Sequence, residues 1–328
     1  MKRIIIFIFC LLLLLPSCNR DNLNDQFIDV NKLADITTIK SLSEITTKNE
    51  KELEWYRAQI RKYGLWDLVE VAFPNAKSEM VTLKSGITVR KVNEHYVIGD
   101  MVLTEEQVKE FYEESGTGLT VNLDKIVSTK GAALYDFSKY KWPNNTVYYQ
   151  TPINLTPRTL TCVVEALTHW RNNSILSFQP RTNQKDYIEF INGDGCWSYV
   201  GRRGGKQQIS IDKDWAETGE AIHEIGHAVG LEHEQSKQNR NDFIIVNTAN
   251  IKPKERVNFE RMTNHYLQSN IFDYGSIMLY SSRCSDDIAI DDKVPVMTRK
   301  NGTEWIAQRN GLSALDIEIV YMLYATLP

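Results

Sequence analysis

One stretch limits what this chain can be: His223-Glu224-Ile225-Gly226-His227-Ala228-Val229-Gly230-Leu231-Glu232-His233-Glu234-Gln235. Up to Gly230 it is compatible with a helix, and at about 3.6 residues per turn His223 and His227 project from one face roughly 6 Å apart. Two imidazoles at that spacing can chelate one metal ion. Glu224 lies about 100° round the helix from His223, off the chelating face but placed to hold a metal-bound water, which makes it the candidate general base. Gly230 can adopt a left-handed conformation that ends the helix and turns the chain back, so that His233 approaches the same ion from outside. Three imidazoles leave positions open for water and substrate, as a catalytic zinc requires and a closed structural zinc does not. A His-Glu-x-x-His pair alone recurs by chance on ordinary amphipathic helices. The added Gly230 and His233, with three of the six histidines in this stretch, argue for a site.

The chain opens with Lys2 and Arg3 and continues in an apolar run from Ile4 to Leu15. That run is short for a membrane span and fits a signal-peptide core, so residues 1–17 read as a targeting leader. Leu15-Pro16-Ser17-Cys18 resembles a bacterial lipoprotein box, which implies lipid on Cys18 and an exported, membrane-anchored chain at the outer membrane, the cell surface or in the periplasm. The alternative is a plain secretory leader with Cys18 incidental. No further apolar stretch approaches spanning length, so membrane contact would run through the anchor. A formal charge of −4 over 328 residues argues against nucleic acid and for polypeptides as partners. Apart from Cys10 in the leader and Cys18, the cysteines Cys162, Cys196 and Cys284 would meet an oxidising compartment, which allows one disulfide and one remaining thiol.

Residues 18–130 read as a separate, looser region, with a helical run over 51–62 and strand-like pieces over 80–83, 87–92 and 96–98. Thr104-Glu105-Glu106-Gln107 is a capping box opening a helix through Phe111 and Tyr112. Ser128-Thr129-Lys130-Gly131-Ala132-Ala133 is small and accessible, with a basic residue for a trypsin-like cut; it reads as a propeptide junction or as a plain interdomain linker. Residues 131–328 suit one catalytic domain. Strands are expected over 142–150, entered through Pro143, and over 187–191 and 207–211, with a helix over 157–172 capped by Thr156. The glycine-bounded segment 193–202 has the interior of an edge strand that can pair with an extended peptide, or of an ordinary hairpin. Beyond the metal helix the C-terminal half is irregular and closes with a helix over 313–323.

With Glu234 behind the third histidine and Ser276-Ile277-Met278-Leu279-Tyr280 downstream, residues 141–324 resemble the astacin family of zinc metalloendopeptidases, within the metzincins. Segments 178–182, 195–202 and 207–210, Asp186-Tyr187, Asn239-Arg240, and Leu312-Ser313 with Asp316 also match. The resemblance implies an α+β fold: a twisted, mostly parallel sheet with an edge strand, an active-site helix and an irregular C-terminal subdomain, preceded by a small propeptide region. Together with the leader over 1–17, it implies a propeptide over 18–130 and a peptidase domain over 131–328, holding one catalytic zinc ion. Met278 would form the turn beneath the histidines. Tyr280 would be the family's switching tyrosine, and Leu279 stands between them where a histidine is common. Read without the family, Met278 would be core packing and Tyr280 a surface or core tyrosine.

Glu234 matches the acid that receives the new amino terminus, at Gly131, Ala132 or Ala133, after a protease cuts near Lys130. Val97-Ile98-Gly99-Asp100 resembles the latency motif Phe-x-Gly-Asp, whose aspartate sits on the zinc of the zymogen. Here Val97 replaces the phenylalanine, and an aspartate after glycine is also a common turn residue. Ala307-Gln308-Arg309 resembles a segment whose arginine favours an acidic residue just after the cut; the alternative for Arg309 is a surface ion pair. The family's disulfide map does not carry over, because its cysteine positions near Trp215 and at Leu176 are replaced. Cys196 with Cys284 is the preferred pairing, leaving Cys162 as a helix thiol.

On this reading Glu224 moves the proton of the attacking water to the leaving amine, and Tyr280 donates to the oxyanion. The substrate lies antiparallel to Trp197-Ser198-Tyr199. Two other classes compete: a non-catalytic zinc-containing binding or adhesion lipoprotein, and a structural-zinc protein. The pairing of Glu224 with Tyr280 argues against the first, and the absence of a fourth cysteine or histidine ligand against the second.

Overall fold

The computed structural model describes residues 72–73, 76–113, 119–121, 137–263 and 267–325. The expected leader at 1–17, Cys18, the helical run over 51–62 and the junction around Lys130 lie outside these residues.

The N-terminal region forms a meander of four short strands: β1 (Glu79–Thr82), β2 (Thr88–Val92), β3 (His95–Ile98) and β4 (Met101–Leu103). The first three fall close to the strand-like pieces expected over 80–83, 87–92 and 96–98, β4 is an addition, and each pairs antiparallel with the next. The capping box then opens α1 (Glu105–Tyr112): Thr104 accepts from the Gln107 amide while the Gln107 side chain accepts from the Thr104 amide. A short strand, β5 (Leu119–Val121), ends this region.

In the second region Pro143–Asn145 forms a 3₁₀ turn, and Asn144 and Asn145 have φ of 55° and 52°. Asparagine tolerates that left-handed conformation, so the turn ends before the strand and β6 (Thr146–Gln150) starts later than expected. α2 (Pro157–Asn173) begins as expected, with the Thr156 hydroxyl accepting from the Thr159 amide. The strands β7 (Ser177–Pro180), β8 (Tyr187–Gly193), β9 (Trp197–Tyr199) and β10 (Lys206–Asp212) precede α3 (Thr218–Ala228). The remainder is irregular, with β11 (Ile244–Val246), β12 (Leu267–Ser269), β13 (Met297–Arg299) and α4 (Ala314–Tyr324), the last capped by Ser313.

Nine strands form one sheet in the order β1-β2-β3-β4-β9-β10-β8-β6-β7. β6, β7, β8 and β10 pair parallel, and β9 runs antiparallel to β10, the mostly parallel arrangement expected. β9 differs from expectation in one respect: it is no open edge. β4 pairs with it in parallel, Met101 against Ser198 and Val102 against Tyr199, so the meander extends the same sheet. An uncovered strand edge is a row of unpaired amides and carbonyls, and here the N-terminal region supplies their partners.

α2 and α3 lie together in the main hydrophobic cluster, which includes Leu167, Trp170, Ile209, Ile222 and Ile225 with Ile98, Met101, Phe111 and Tyr112 from the N-terminal region. Two buried indoles pin α3, Trp142 donating to the Ala228 carbonyl at 2.8 Å and Trp170 to the Ile222 carbonyl at 3.0 Å. A second cluster of Ile244, Phe259, Phe272, Tyr280 and Trp305 fills the C-terminal part. Cys162, Cys196 and Cys284 are buried and none forms a disulfide, which corrects the expected Cys196–Cys284 bridge. Cys196 belongs to the main cluster and Cys284 to the second.

At the start of α3, Gly219 packs against the Arg309 backbone, where a Cβ would overlap the Arg309 carbonyl oxygen. Alanine in a helix ordinarily gains about 1 kcal/mol over glycine. Gly219→Ala should instead lower stability by roughly 1–3 kcal/mol through overpacking. Denaturant unfolding checks this; an unchanged midpoint would mean that the Arg309 loop does not rest on α3.

Candidate metal centre

α3 is buried on every side, and its turns carry His223, Glu224 and His227 at no exposure. Gly230, with φ of 102°, ends the helix as its conformational freedom allows, and the Leu231 amide folds back to the Gly226 carbonyl at 2.8 Å. This reversal brings His233 to the face of His223 and His227. The three rings have centroid separations of 4.8, 4.7 and 5.4 Å.

Backbone carbonyls set the ring orientation. His223 Nδ1 donates to the Ile277 carbonyl and His227 Nδ1 to the Leu231 carbonyl, both at 2.8 Å. A carbonyl only accepts, so each neutral ring carries its proton on Nδ1 and turns the bare Nε2 inward. Burial pushes His223 down to about 3, with the Arg309 charge adding to the fall, and burial lowers His233 as well. Neutral imidazoles are the form that ligates a metal.

Asp100 fills the centre. Its Oδ2 lies 3.1 Å from His223 Nε2, and its Oδ1 lies 3.4 Å from His227 Nε2 and 3.2 Å from His233 Nε2. The carboxylate is fully buried. Ligand atoms from these residues all lie within 4.8 Å of one another. Bonds of about 2.0–2.1 Å to zinc put two ligand atoms of one tetrahedron about 3.3 Å apart. The carboxylate-to-imidazole distances match that edge. Asp100 Oδ1, His227 Nε2 and His233 Nε2 are buried without a hydrogen-bond partner, which suits atoms that converge on a cation. The residues therefore fit one zinc ion.

The expected Met278 turn lies beneath. An ideal Cβ on Gly226 would stand 2.9 Å from Met278 Sδ, so the methionine side chain lies directly against the helix. Asp316, the N3 residue of α4, accepts from the Ser276 hydroxyl at 2.7 Å and the Ile277 amide at 3.0 Å, tying the turn to that helix. Tyr280 is buried, its ring 4.6 Å from His233 and 6.0 Å from Phe259. Gln235, which sequence reasoning passed over, holds the Tyr280 amide at 3.2 Å.

Five expected residues have surroundings that the sequence did not indicate. Glu234 accepts from Lys237 Nζ at 2.9 Å and from the Asp273 amide at 2.8 Å, and burial pushes its carboxyl up to about 7. It shares a cavity with Glu232, Lys237, Asp273 and Asp316. The Lys237 contact is the unanticipated part, although its spacing of three residues could have indicated it. Arg309 is buried rather than at the surface: Nη1 donates to the carbonyls of Ile277 at 2.9 Å, Gln308 at 3.1 Å and Leu279 at 3.3 Å, which corrects the surface ion-pair alternative. Trp197, Ser198 and Tyr199 stand beside β4, the Ser198 amide donating to the Asp100 carbonyl at 3.0 Å.

A family model described as Astacin, a family of peptidases, matches residues 135–325. Zinc metalloproteinase nas-12 of Caenorhabditis elegans is 34% identical over 63% of this chain and 52% of its own. Blastula protease 10 of Paracentrotus lividus is 34% identical over 69% of this chain and 38% of its own. Astacin-like metalloprotease toxin 1 of Loxosceles intermedia is 32% identical over 62% of this chain and 77% of its own. The chain thus spans about half, or less, of the first two. Among solved structures, high choriolytic enzyme 1, a hatching enzyme zinc-protease from Oryzias latipes, has a TM-score of 0.52 at 29% identity, covering 60% of this chain and 98% of that one.

The purified chain should carry about one zinc ion per molecule by elemental analysis, as three histidines with a carboxylate provide. His227→Ala should cut that content at least tenfold. Full zinc content in this variant would place the ion elsewhere.

Proposed function

This chain belongs to the astacin family of peptidases, and on that footing we propose that it is a zinc-dependent endopeptidase made as a latent zymogen. The observation that carries the reading is Asp100 seated among His223, His227 and His233. Held by the three histidines, a zinc ion would polarise the scissile carbonyl and acidify a water. Glu224 takes the proton of the attacking water and passes it to the leaving amine, and the Tyr280 hydroxyl donates to the oxyanion. The substrate is an extended polypeptide antiparallel to Trp197-Ser198-Tyr199, held by backbone hydrogen bonds.

Latency follows from two blocks. Asp100 occupies the position that water needs, and β4 covers the strand on which substrate would lie. β4 runs parallel to β9, opposite in direction to that substrate. Residues 18–130 are the propeptide, and a trypsin-like protease cuts near Lys130 to leave Gly131, Ala132 or Ala133 as the new terminus. The new ammonium goes to Glu234, whose cavity holds further carboxyls in Glu232, Asp273 and Asp316. A leader over 1–17 and lipid on Cys18 would carry the enzyme out of the cytosol, to the outer membrane, the cell surface or the periplasm, facing extracellular or periplasmic proteins. Arg309 gives a preference for Asp or Glu just after the cut; in support, its Nη1 donates to the same Ile277 carbonyl that orients His223.

Four proteins test the scheme against a peptide library read by mass spectrometry: the uncut chain, the chain cut at Lys130, uncut Asp100→Ala and cut Glu224→Ala. The cut chain should cleave in a zinc-dependent way, the uncut chain at least ~100-fold more slowly, and uncut Asp100→Ala should recover tenfold or more. Glu224→Ala should lose about 10²–10⁴-fold while keeping its zinc. A cut chain that binds zinc and cleaves nothing would favour the non-catalytic binding lipoprotein.

In the same assay, Arg309→Ala should reduce the kcat/KM ratio of peptides with Asp over Ala after the cut by about tenfold, as expected for loss of one charge-assisted hydrogen bond. An unchanged ratio would remove Arg309 from substrate selection.

A further inference from the structure

β9 offers a substrate more than backbone hydrogen bonds. Side chains alternate along a strand, so Trp197 and Tyr199 share one face while Ser198 takes the other. Both rings are nearly buried, at 4% and 7% exposure. They lie 6.0 Å apart at 86°, an edge-to-face pair, and form a small apolar cluster of their own. Most of what covers them comes from residues 72–102: Ala72, Phe73, Val92, Val97 and Val102, with the His95 ring 5.5 Å from Tyr199. From the second region come Ile191 and the Arg203 guanidinium, 4.1 Å over the Tyr199 ring.

The nearest occupant is aromatic. The Phe73 ring sits 4.5 Å from Trp197, tilted by 45°. Phe73 adopts φ of 54°, a left-handed conformation uncommon for a bulky residue. Arg90 donates to the carbonyls of Phe73 and Ala72, and the Ala72 amide donates to the Gly99 carbonyl at 3.0 Å, so this bent segment is tied to the turn that carries Asp100. Ring-on-ring contact is obtained here at the cost of an unfavourable backbone conformation.

We propose that Trp197 and Tyr199, flanked by Arg203, form a side-chain subsite that takes an aromatic residue of the substrate, the third residue before the cleaved bond. The assignment rests on the peptidase reading and on an antiparallel substrate. Register fixes the position. Asp100 lies at the metal centre, and two residues further along β4 Val102 is level with Tyr199 on the face of the aromatic cluster. A chain in the opposite direction reaches that level two residues before the one at the metal. Residues directly opposite each other in a ladder point to the same face in either direction, so this side chain meets Tyr199 and Trp197. Once residues 72–102 leave, the two rings lose Phe73 and His95, and a substrate aromatic restores an edge-to-face or offset contact that an aliphatic chain cannot make.

The test uses the Lys130-cut chain and four peptides that differ only at the third residue before the bond: Phe, Leu, Ala or Asp. kcat/KM should be about tenfold higher for Phe than for Ala, with Leu between them. Tyr199→Phe should keep the ratio. Tyr199→Val, which retains a strand-favouring residue, and Trp197→Leu should reduce it below threefold. A flat profile, a preference for Asp drawn by Arg203, or a Phe preference that survives both Tyr199→Val and Trp197→Leu would overturn the subsite while leaving the peptidase reading intact. Variants that slow all four peptides equally would also overturn it, since that reports structure and not selection. Failure to cleave any peptide, with zinc bound, would defeat the peptidase reading and the subsite with it.

Discussion

Inward-facing lone pairs and a carboxylate, with no proton to bridge them, cannot share one small space unless a cation holds them together. That electrostatic demand organises the molecule. His223 and His227 have given their Nδ1 protons to backbone carbonyls, so their inner nitrogens bring only lone pairs. Asp100 adds a carboxylate at 3.1–3.4 Å from all three rings. The supporting shell exists to keep this arrangement in register. The Met278 turn supplies one of the two orienting carbonyls from Ile277, Asp316 fixes that turn, and Arg309 gathers the carbonyls around it. Such outer contacts set ring orientation and ligand basicity as much as the ligands do.

The second dependence is on sheet continuity. The N-terminal meander shares the core of the second region and closes the open side of β9, with α1 adding a bond from Gln107 Nε2 to the Val200 carbonyl at 2.8 Å. Asp100 is therefore delivered by a folded unit and not by a loose tail. The turn that carries it is short, Gly99 with φ of 61°, and the strands on either side are buried.

The metal helix was legible because its ligands are local: three fixed offsets and one glycine specify three rings and a base. Local chemistry also disclosed the Thr104 capping box, the Thr156 cap and the strands over 187–191 and 207–211. What escaped was non-local. The pairing of β4 with β9 joins residues about one hundred positions apart, and no pattern within either strand encodes its partner. Asp100 was visible through the family resemblance, since an aspartate after glycine reads equally well as a turn residue. The cysteines misled for a related reason: compartment and number suggested a bridge, while membership of separate cores keeps Cys196 from Cys284. A surface ion pair was an open alternative for Arg309 because its segment is polar, yet a guanidinium can serve several carbonyls at once, and the turn beneath the histidines offers them.

Three buried thiols without a disulfide have a consequence for how the chain is fastened. Burial pushes the Cys162 thiol up to about 12, so it stays protonated and inert to exchange. The ligand set offers a crosslink instead: an ion bound by Asp100 and by His223, His227 and His233 would join positions 133 residues apart, Asp100 to His233, and close a long loop of chain as a sulfur bridge would. A fastening of that kind answers to chelators and metal supply, not to reductants.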